Sequence, residues 1–174
     1  MLAYAAAHDL ELDTIGIKTA YLNAPMDVDV YVDPPASYSN GGPNTVAKLR
    51  SALYGTKKAG RLCGKHLCAT LTRAGATRST TDPTLYTWDH PVHGRILILA
   101  QVDDLAALGK TRAAVDVAKE VLFQRYKGRD MGQAKEFLGM RIVRDLPHRT
   151  LKISCPGLIK ALLYNFGMVD AHPA

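Results

Sequence analysis

The spacing of apolar and polar residues changes several times along the chain, and each change marks an element. Leu2 to Leu12 is alanine-rich with apolar positions at helical spacing, which predicts a helix. Asp13-Thr14-Ile15-Gly16-Ile17-Lys18-Thr19 alternates as a strand does, until Asn23-Ala24-Pro25 breaks it. Val28 to Val32 alternates again before Asp33-Pro34-Pro35, residues 39–44 read as a loop, and Val46 to Leu49 as a short strand. Leu62, Leu67 and Leu71 define an amphipathic helix over Lys57 to Ala74. Gly60 and Gly64 weaken it, by about 1 kcal/mol each relative to alanine. Leu85 to Trp88 and Arg95 to Val102 read as strands around the loop Asp89 to Gly94, and an apolar run, Leu105 to Leu108, follows Asp103-Asp104. Arg112 to Tyr126 is a helix with Thr111 as its N-cap. Phe137 to Val143 and Thr150 to Ser154 form a closing hairpin, and Gly157 to Phe166 a last helix. This mixed order predicts an α+β antiparallel sheet with helices packed on one face, not a doubly wound parallel sheet.

Composition narrows the class without choosing a function. At 174 residues, 47% of them hydrophobic, the chain can bury one sizeable core. Its 22 Lys and Arg outnumber 16 Asp and Glu, and the net charge of +6 is compatible with nucleic acid or an anionic surface. No apolar stretch is long enough for a membrane span, and the N-terminus lacks the pattern of a secretory signal. Three cysteines suit a reducing compartment better than a disulfide scaffold. The expectation is an intracellular, cytoplasmic protein with no membrane partner.

Asp103-Asp104 carries the strongest chemical signal. Two carboxylates at a tight turn between apolar strands are costly to desolvate unless a cation neutralises them, and Mg²⁺ prefers such oxygen ligands. An exposed hairpin turn would use the same residues. Other candidates are weaker. Cys63, His66 and Cys68 lack a fourth ligand at zinc-site spacing. His90 and His93 read as solvated loop residues. Gly109-Lys110-Thr111 lacks the earlier glycine of a phosphate-binding loop, because position 105 is Leu105. Lys57, Lys58, Arg61 and Lys65 form either a solvated face or a contact for nucleic-acid phosphates.

Six segments in order give the chain a resemblance to copia-type reverse transcriptases of long-terminal-repeat retrotransposons. Ile17-Lys18-Thr19-Ala20-Tyr21-Leu22-Asn23 resembles the first palm motif and precedes Val30-Tyr31-Val32-Asp33-Pro34-Pro35. Leu53-Tyr54-Gly55-Thr56-Lys57-Lys58-Ala59-Gly60-Arg61 resembles Leu-Tyr-Gly-Leu-Lys-Gln-Ala-Pro-Arg, and Thr81-Asp82-Pro83-Thr84-Leu85-Tyr86 also fits. Gln101-Val102-Asp103-Asp104 stands where the family has Tyr-Val-Asp-Asp, and Phe137-Leu138-Gly139-Met140-Arg141-Ile142 resembles the hairpin that grips the primer. The resemblance implies a palm-type sheet over residues 1–174, with partial fingers and no thumb. It also implies RNA-directed DNA polymerisation by two Mg²⁺ or Mn²⁺ ions, with template–primer and dNTPs as partners. Carried over, Asp103 and Asp104 are the metal ligands. Thr19, Ala20 and Tyr21 contact the nucleotide, Phe137, Leu138, Gly139 and Met140 form the primer grip, and Lys127 or Lys135 is the proton donor.

The departures predict impaired catalysis. The family's first palm aspartate falls at Gly16, so the carboxylate that bridges both metals is missing and metal binding is weakened. Asp13 is three residues away and its side chain should face the other side of the strand. Gln101 replaces the turn tyrosine, Gly60 a proline and Cys63 a tryptophan. A non-catalytic nucleic-acid-binding remnant is the alternative.

Overall fold

A computed structural model of the chain describes residues 1–35, 37, 38, 42 and 45–170. Strands β1 (Glu11–Ile17), β4 (Thr77–Arg78), β5 (Leu85–His90), β6 (Gly94–Gln101), β7 (Asp104–Gly109) and β8 (Gly128–Gln133) make one six-stranded sheet. Its order is β4-β5-β6-β7-β1-β8, with every neighbour antiparallel. A second sheet joins β9 (Glu136–Phe137), β10 (Met140–Asp145) and β11 (Thr150–Ser154), and β2 (Tyr31–Val32) pairs with β3 (Ala47–Lys48). The helices are α1 (Leu2–Ala7), α2 (Ala59–Arg73), α3 (Arg112–Arg125) and α4 (Pro156–Asn165). The expected α+β antiparallel architecture is borne out.

Both faces of the large sheet are covered, which explains the unbroken apolar run from Leu105 to Leu108. Leu105 and Ala107 join Ile15, Ile17, Ile96 and Ile98 beneath α2 and α3. Ala106 and Leu108 join Leu12 on the other face, where Ala5 of α1 and Phe137 and Ile142 of the small sheet meet them. A strand buried on both sides has no polar face to alternate with. The two long helices share one face as expected, whereas α1 packs on the opposite one.

Several boundaries differ from the sequence pattern. The first helix stops at Ala7, and Asp9 at φ +53° redirects the chain so that the strand begins at Glu11. The strand expected to end at Thr19 ends at Ile17, because Thr19 takes a left-handed conformation and opens a 3₁₀ turn over Ala20–Asn23. The strand read over Val28 to Val32 keeps only its last two residues, and β5 runs on to His90. Thr111 caps α3, its hydroxyl accepting from the Ala114 N–H at 3.2 Å. Of the loop read over residues 39–44, only residue 42 lies among the described residues.

β8 was not visible in the sequence. Gly128-Arg129-Asp130-Met131-Gly132-Gln133 has no apolar alternation, yet it forms the edge beside β1. Gly128 allows the approach: a Cβ there would lie 2.7 Å from the Gly16 carbonyl oxygen and 2.8 Å from the Phe123 ring.

Candidate active site

The β6–β7 hairpin places Asp103 and Asp104. Gln101 pairs with Asp104, so Val102 and Asp103 form a two-residue loop. Val102 sits at φ +55°, the feature of a primed turn, which suits the sheet's twist but costs a β-branched residue about 1–2 kcal/mol. The Asp103 carbonyl accepts the Ile17 N–H at 2.7 Å, which ties the turn to the end of β1. Asp103 is half-buried and Asp104 exposed.

Gly16 lies directly opposite Asp104 in the β1–β7 register, and opposed residues of an antiparallel pair project from the same face. A Cβ built on Gly16 meets nothing within 4 Å. On that face, Asp104 shares a cleft of about 300 Å³ with Met131, Glu136, Phe137, Leu138 and Gly139. Leu138 and Gly139, at φ +51° and +74°, make the two-residue turn from β9 to β10. Phe137 is buried, and Met140 pairs with it across the turn. The hairpin and the Asp104 edge therefore line one cleft.

Asp103 is held from α2's side of the molecule. The Tyr54 hydroxyl donates to both of its carboxylate oxygens, at 2.9 and 2.8 Å. Burial, then the hydrogen bond and charge of Asp103, push the Tyr54 phenol up to about 12. Tyr21 meets the Tyr54 ring edge-on at 4.4 Å, so Tyr21 and the aspartate turn share one aromatic neighbour. Burial, with the Asp103 charge behind it, also raises the Cys63 thiol. Ala20 is buried in the 3₁₀ turn, and the exposed Thr19 donates its hydroxyl to the Lys18 carbonyl at 2.8 Å. The contact of Tyr54 with Asp103 is not visible in spacing, since 49 residues separate them.

Asp13 is on the other face and is engaged there. It is fully buried, ion-paired with Lys119, and has the Arg112 guanidinium 2.6 Å from its Oδ1. Lys119 also reaches Asp130 at 3.0 Å. Burial alone would lower the Lys119 ammonium, but the hydrogen bonds and charges of Asp13 and Asp130 outweigh it and leave it raised. One signal was available in the sequence: Lys119 falls on the apolar stripe of α3 with Val115, Ala118 and Leu122.

The basic cluster is divided. Lys58, at 3.6 Å, and Arg61 both converge on Asp27, whereas Lys57 and Lys65 are exposed and have no carboxylate partner among the described residues. Lys127 and Lys135 are also exposed.

Comparison with known families matches the chain over residues 1–174 to the reverse transcriptase (RNA-dependent DNA polymerase) family. It is 30% identical over 174 residues to the retrovirus-related Pol polyprotein from transposon TNT 1-94 of Nicotiana tabacum, covering 99% of this chain and 13% of that protein. It is 29% identical over 174 residues to the corresponding polyprotein from transposon RE1 of Arabidopsis thaliana, covering 99% and 12%. A transposon Ty5-1 protein of Saccharomyces cerevisiae is 33% identical over 127 residues, 72% of this chain and 41% of its own length. The chain belongs to the reverse transcriptase family of copia-type retrotransposons. It spans about one eighth of the TNT 1-94 and RE1 polyproteins.

Whether the residues present suit a pair of divalent cations can be read from the donor set. Among the described residues, no three His, Cys, Asp or Glu side chains come together as a metal site. Among the described residues no third carboxylate completes a group with Asp103 and Asp104: Gly16 has no side chain, Asp13 faces the opposite way with its own cations, and Glu136 lines the Asp104 cleft without forming such a cluster. This set does not fit a two-metal pair. Among the described residues, no helix is long and apolar enough to cross a membrane.

Proposed function

We propose that this chain is the palm of an RNA-directed DNA polymerase whose carboxylate set is reduced to Asp103 and Asp104, leaving nucleotidyl transfer very weak or absent. One observation carries this reading. Gly16 stands opposite Asp104, on the face shared with the β9–β10 hairpin, with open space where a side chain would go. The site is therefore one carboxylate short at a position that would accept it. In this reading template–primer and dNTPs are the partners. Phe137 to Met140 contact the primer end, Thr19, Ala20 and Tyr21 the nucleotide, and Lys57, Lys58, Arg61 and Lys65 the template phosphates. Mg²⁺ or Mn²⁺ would need Asp restored at Gly16 to bind with useful affinity.

A second reading, a nucleic-acid-binding remnant without chemistry, is favoured by Lys57 and Lys65, whose charges no described carboxylate offsets. Such binding would weaken steeply with salt.

Primer extension on an RNA template, with Mg²⁺ or Mn²⁺, separates these readings. We expect no measurable extension by the chain as it stands, extension by Gly16→Asp, and none by Gly16→Asp combined with Asp103→Asn. Extension by the unmodified chain that Asp103→Asn abolishes would overturn the impairment. Salt-sensitive binding without extension by any variant would favour the remnant.

A further inference from the structure

A groove of about 640 Å³ lies between the end of α2, the outer side of α3 and the end of β5. That volume is within the range of small-ligand sites. It is distant from the aspartate turn: β6 runs from Gly94 beside the groove to Gln101 at the turn, about 23 Å at roughly 3.3 Å per residue.

One wall is aromatic and fixed. Trp88 and His90 have ring centroids 5.0 Å apart at 73°, and His90 and His93 are 4.9 Å apart at 32°. The Nδ1 of His90 accepts the N–H groups of Val92 and His93, both at 3.2 Å. Those bonds place the His90 proton on Nε2 and hold the ring in place. Both imidazoles are partly exposed, while Trp88 beside them is only 7% exposed.

The other wall is cationic. Arg73 and Arg125 line it, and neither has a carboxylate partner among the described residues. Arg125 is nonetheless oriented. Thr70 and Tyr126 share a hydrogen bond of 3.0 Å, Tyr126 meets His66 Nδ1 at 2.8 Å, and Arg125 donates to His66 Nε2 at 3.1 Å. Burial, followed by the charges of Arg125 and Arg73, lowers the His66 pKa and keeps this acceptor neutral. A guanidinium held by a neutral acceptor keeps its full charge for an anion, which a carboxylate partner would offset. Glu120 is the one acidic residue in the groove, against two arginines.

We propose that this groove binds single-stranded nucleic acid, with bases on the imidazole faces of His90 and His93 and phosphates on Arg73 and Arg125. Aromatic faces beside unpaired cations are the usual platform for single strands. An acidic peptide would use the arginines and leave the rings idle. A free phosphate would do the same, whereas the successive bases and phosphates of a strand engage both walls together.

Trp88 is the only tryptophan in the sequence and reports on the groove directly. The full chain would be titrated with a short oligo(dA), with AMP and with inorganic phosphate while Trp88 emission is followed. Anisotropy of a labelled oligo(dA) would report total binding. We expect a saturable emission change with oligo(dA), weakened about tenfold or more by Arg73→Gln with Arg125→Gln. His93→Ala should weaken it about tenfold. Arg125→Lys, which keeps the charge, should retain most of the binding and shows that the loss does not come from misfolding. Binding by anisotropy with no change at Trp88 would place the strand elsewhere and overturn the proposal. An equal response to phosphate would overturn base stacking, and AMP binding as tightly as oligo(dA) would overturn the strand assignment.

Discussion

The two faces of β1 treat negative charge in opposite ways. Asp13 is fully buried beneath α3, and the protein supplies its own cations, Lys119 and Arg112. Three residues on, the face opposite Asp104 carries no charge at Gly16, and among the described residues the half-buried Asp103 carboxylate is hydrogen-bonded by a neutral phenol and paired with no cation. A carboxylate matched by internal cations serves the fold. The Asp103 carboxylate has instead a neutral hydroxyl donor, and no cation pairs with it among the described residues. Asp13 is committed to its own face of β1, since moving it would break the buried cluster with Lys119 and Arg112.

The comparison breaks most visibly at Lys119. Lys119→Met leaves Asp13 buried with Arg112 as its remaining partner, and chemical denaturation should show a loss of about 3 kcal/mol. The same cluster should set the acid limit of stability. Lys119 and the Gly132 N–H overcome the burial that opposes them and hold Asp130 below its usual range. A lowered carboxylate pKa stabilises the fold at pH values above the unfolded value of about 3.9 and loses that contribution as pH falls through the folded value. Lys119→Met should therefore flatten the stability–pH curve on its acid side.

A smaller effect is expected where β8 meets β1. Gly128→Ala puts a Cβ against the Gly16 carbonyl and the Phe123 ring, and should cost about 1–3 kcal/mol by thermal unfolding. Full stability in that variant would mean that the sheet edge can move, and the spacing that places Gly16 would be less fixed than it looks.

The smallest stability change belongs to the turn itself. Asp103→Asn should shift stability by no more than about 0.5 kcal/mol, because no buried charge loses its partner. Its effect should appear in Tyr54 instead. Ultraviolet titration should find that phenol near 12 in the parent chain, and closer to the ordinary value of about 10 in Asp103→Asn. An unchanged titration would show that Tyr54 is not bound to Asp103 in solution.

Much of the fold was legible because period follows burial. The apolar stripe of α2, the Thr111 cap and the β6–turn–β7 unit all came from local pattern, and each is present. What pattern missed depends on distant partners. β8 is an edge strand held by backbone pairing with β1, so its side chains need not alternate. The early end of α1 depends on a left-handed Asp9, which composition does not announce. In the candidate site, motif order pointed to Asp103, Asp104 and Gly16, and the register sets Gly16 opposite Asp104. The Tyr54 contact and the arginine groove bring together residues far apart in sequence, and no spacing rule reaches them.

The place of β1 has a consequence in time. Gly16 must pair with Asp104, 88 positions further along the chain, and with Arg129 beyond that. At about 5–20 residues per second of synthesis, the strand emerges roughly 4–18 s before its first partner. Through that interval its Ile15 and Ile17 have no sheet to enter, and both its edges can pair with another nascent chain. The strand that carries Gly16 and the buried Asp13 is thus also the strand most in need of protection while the protein is being made.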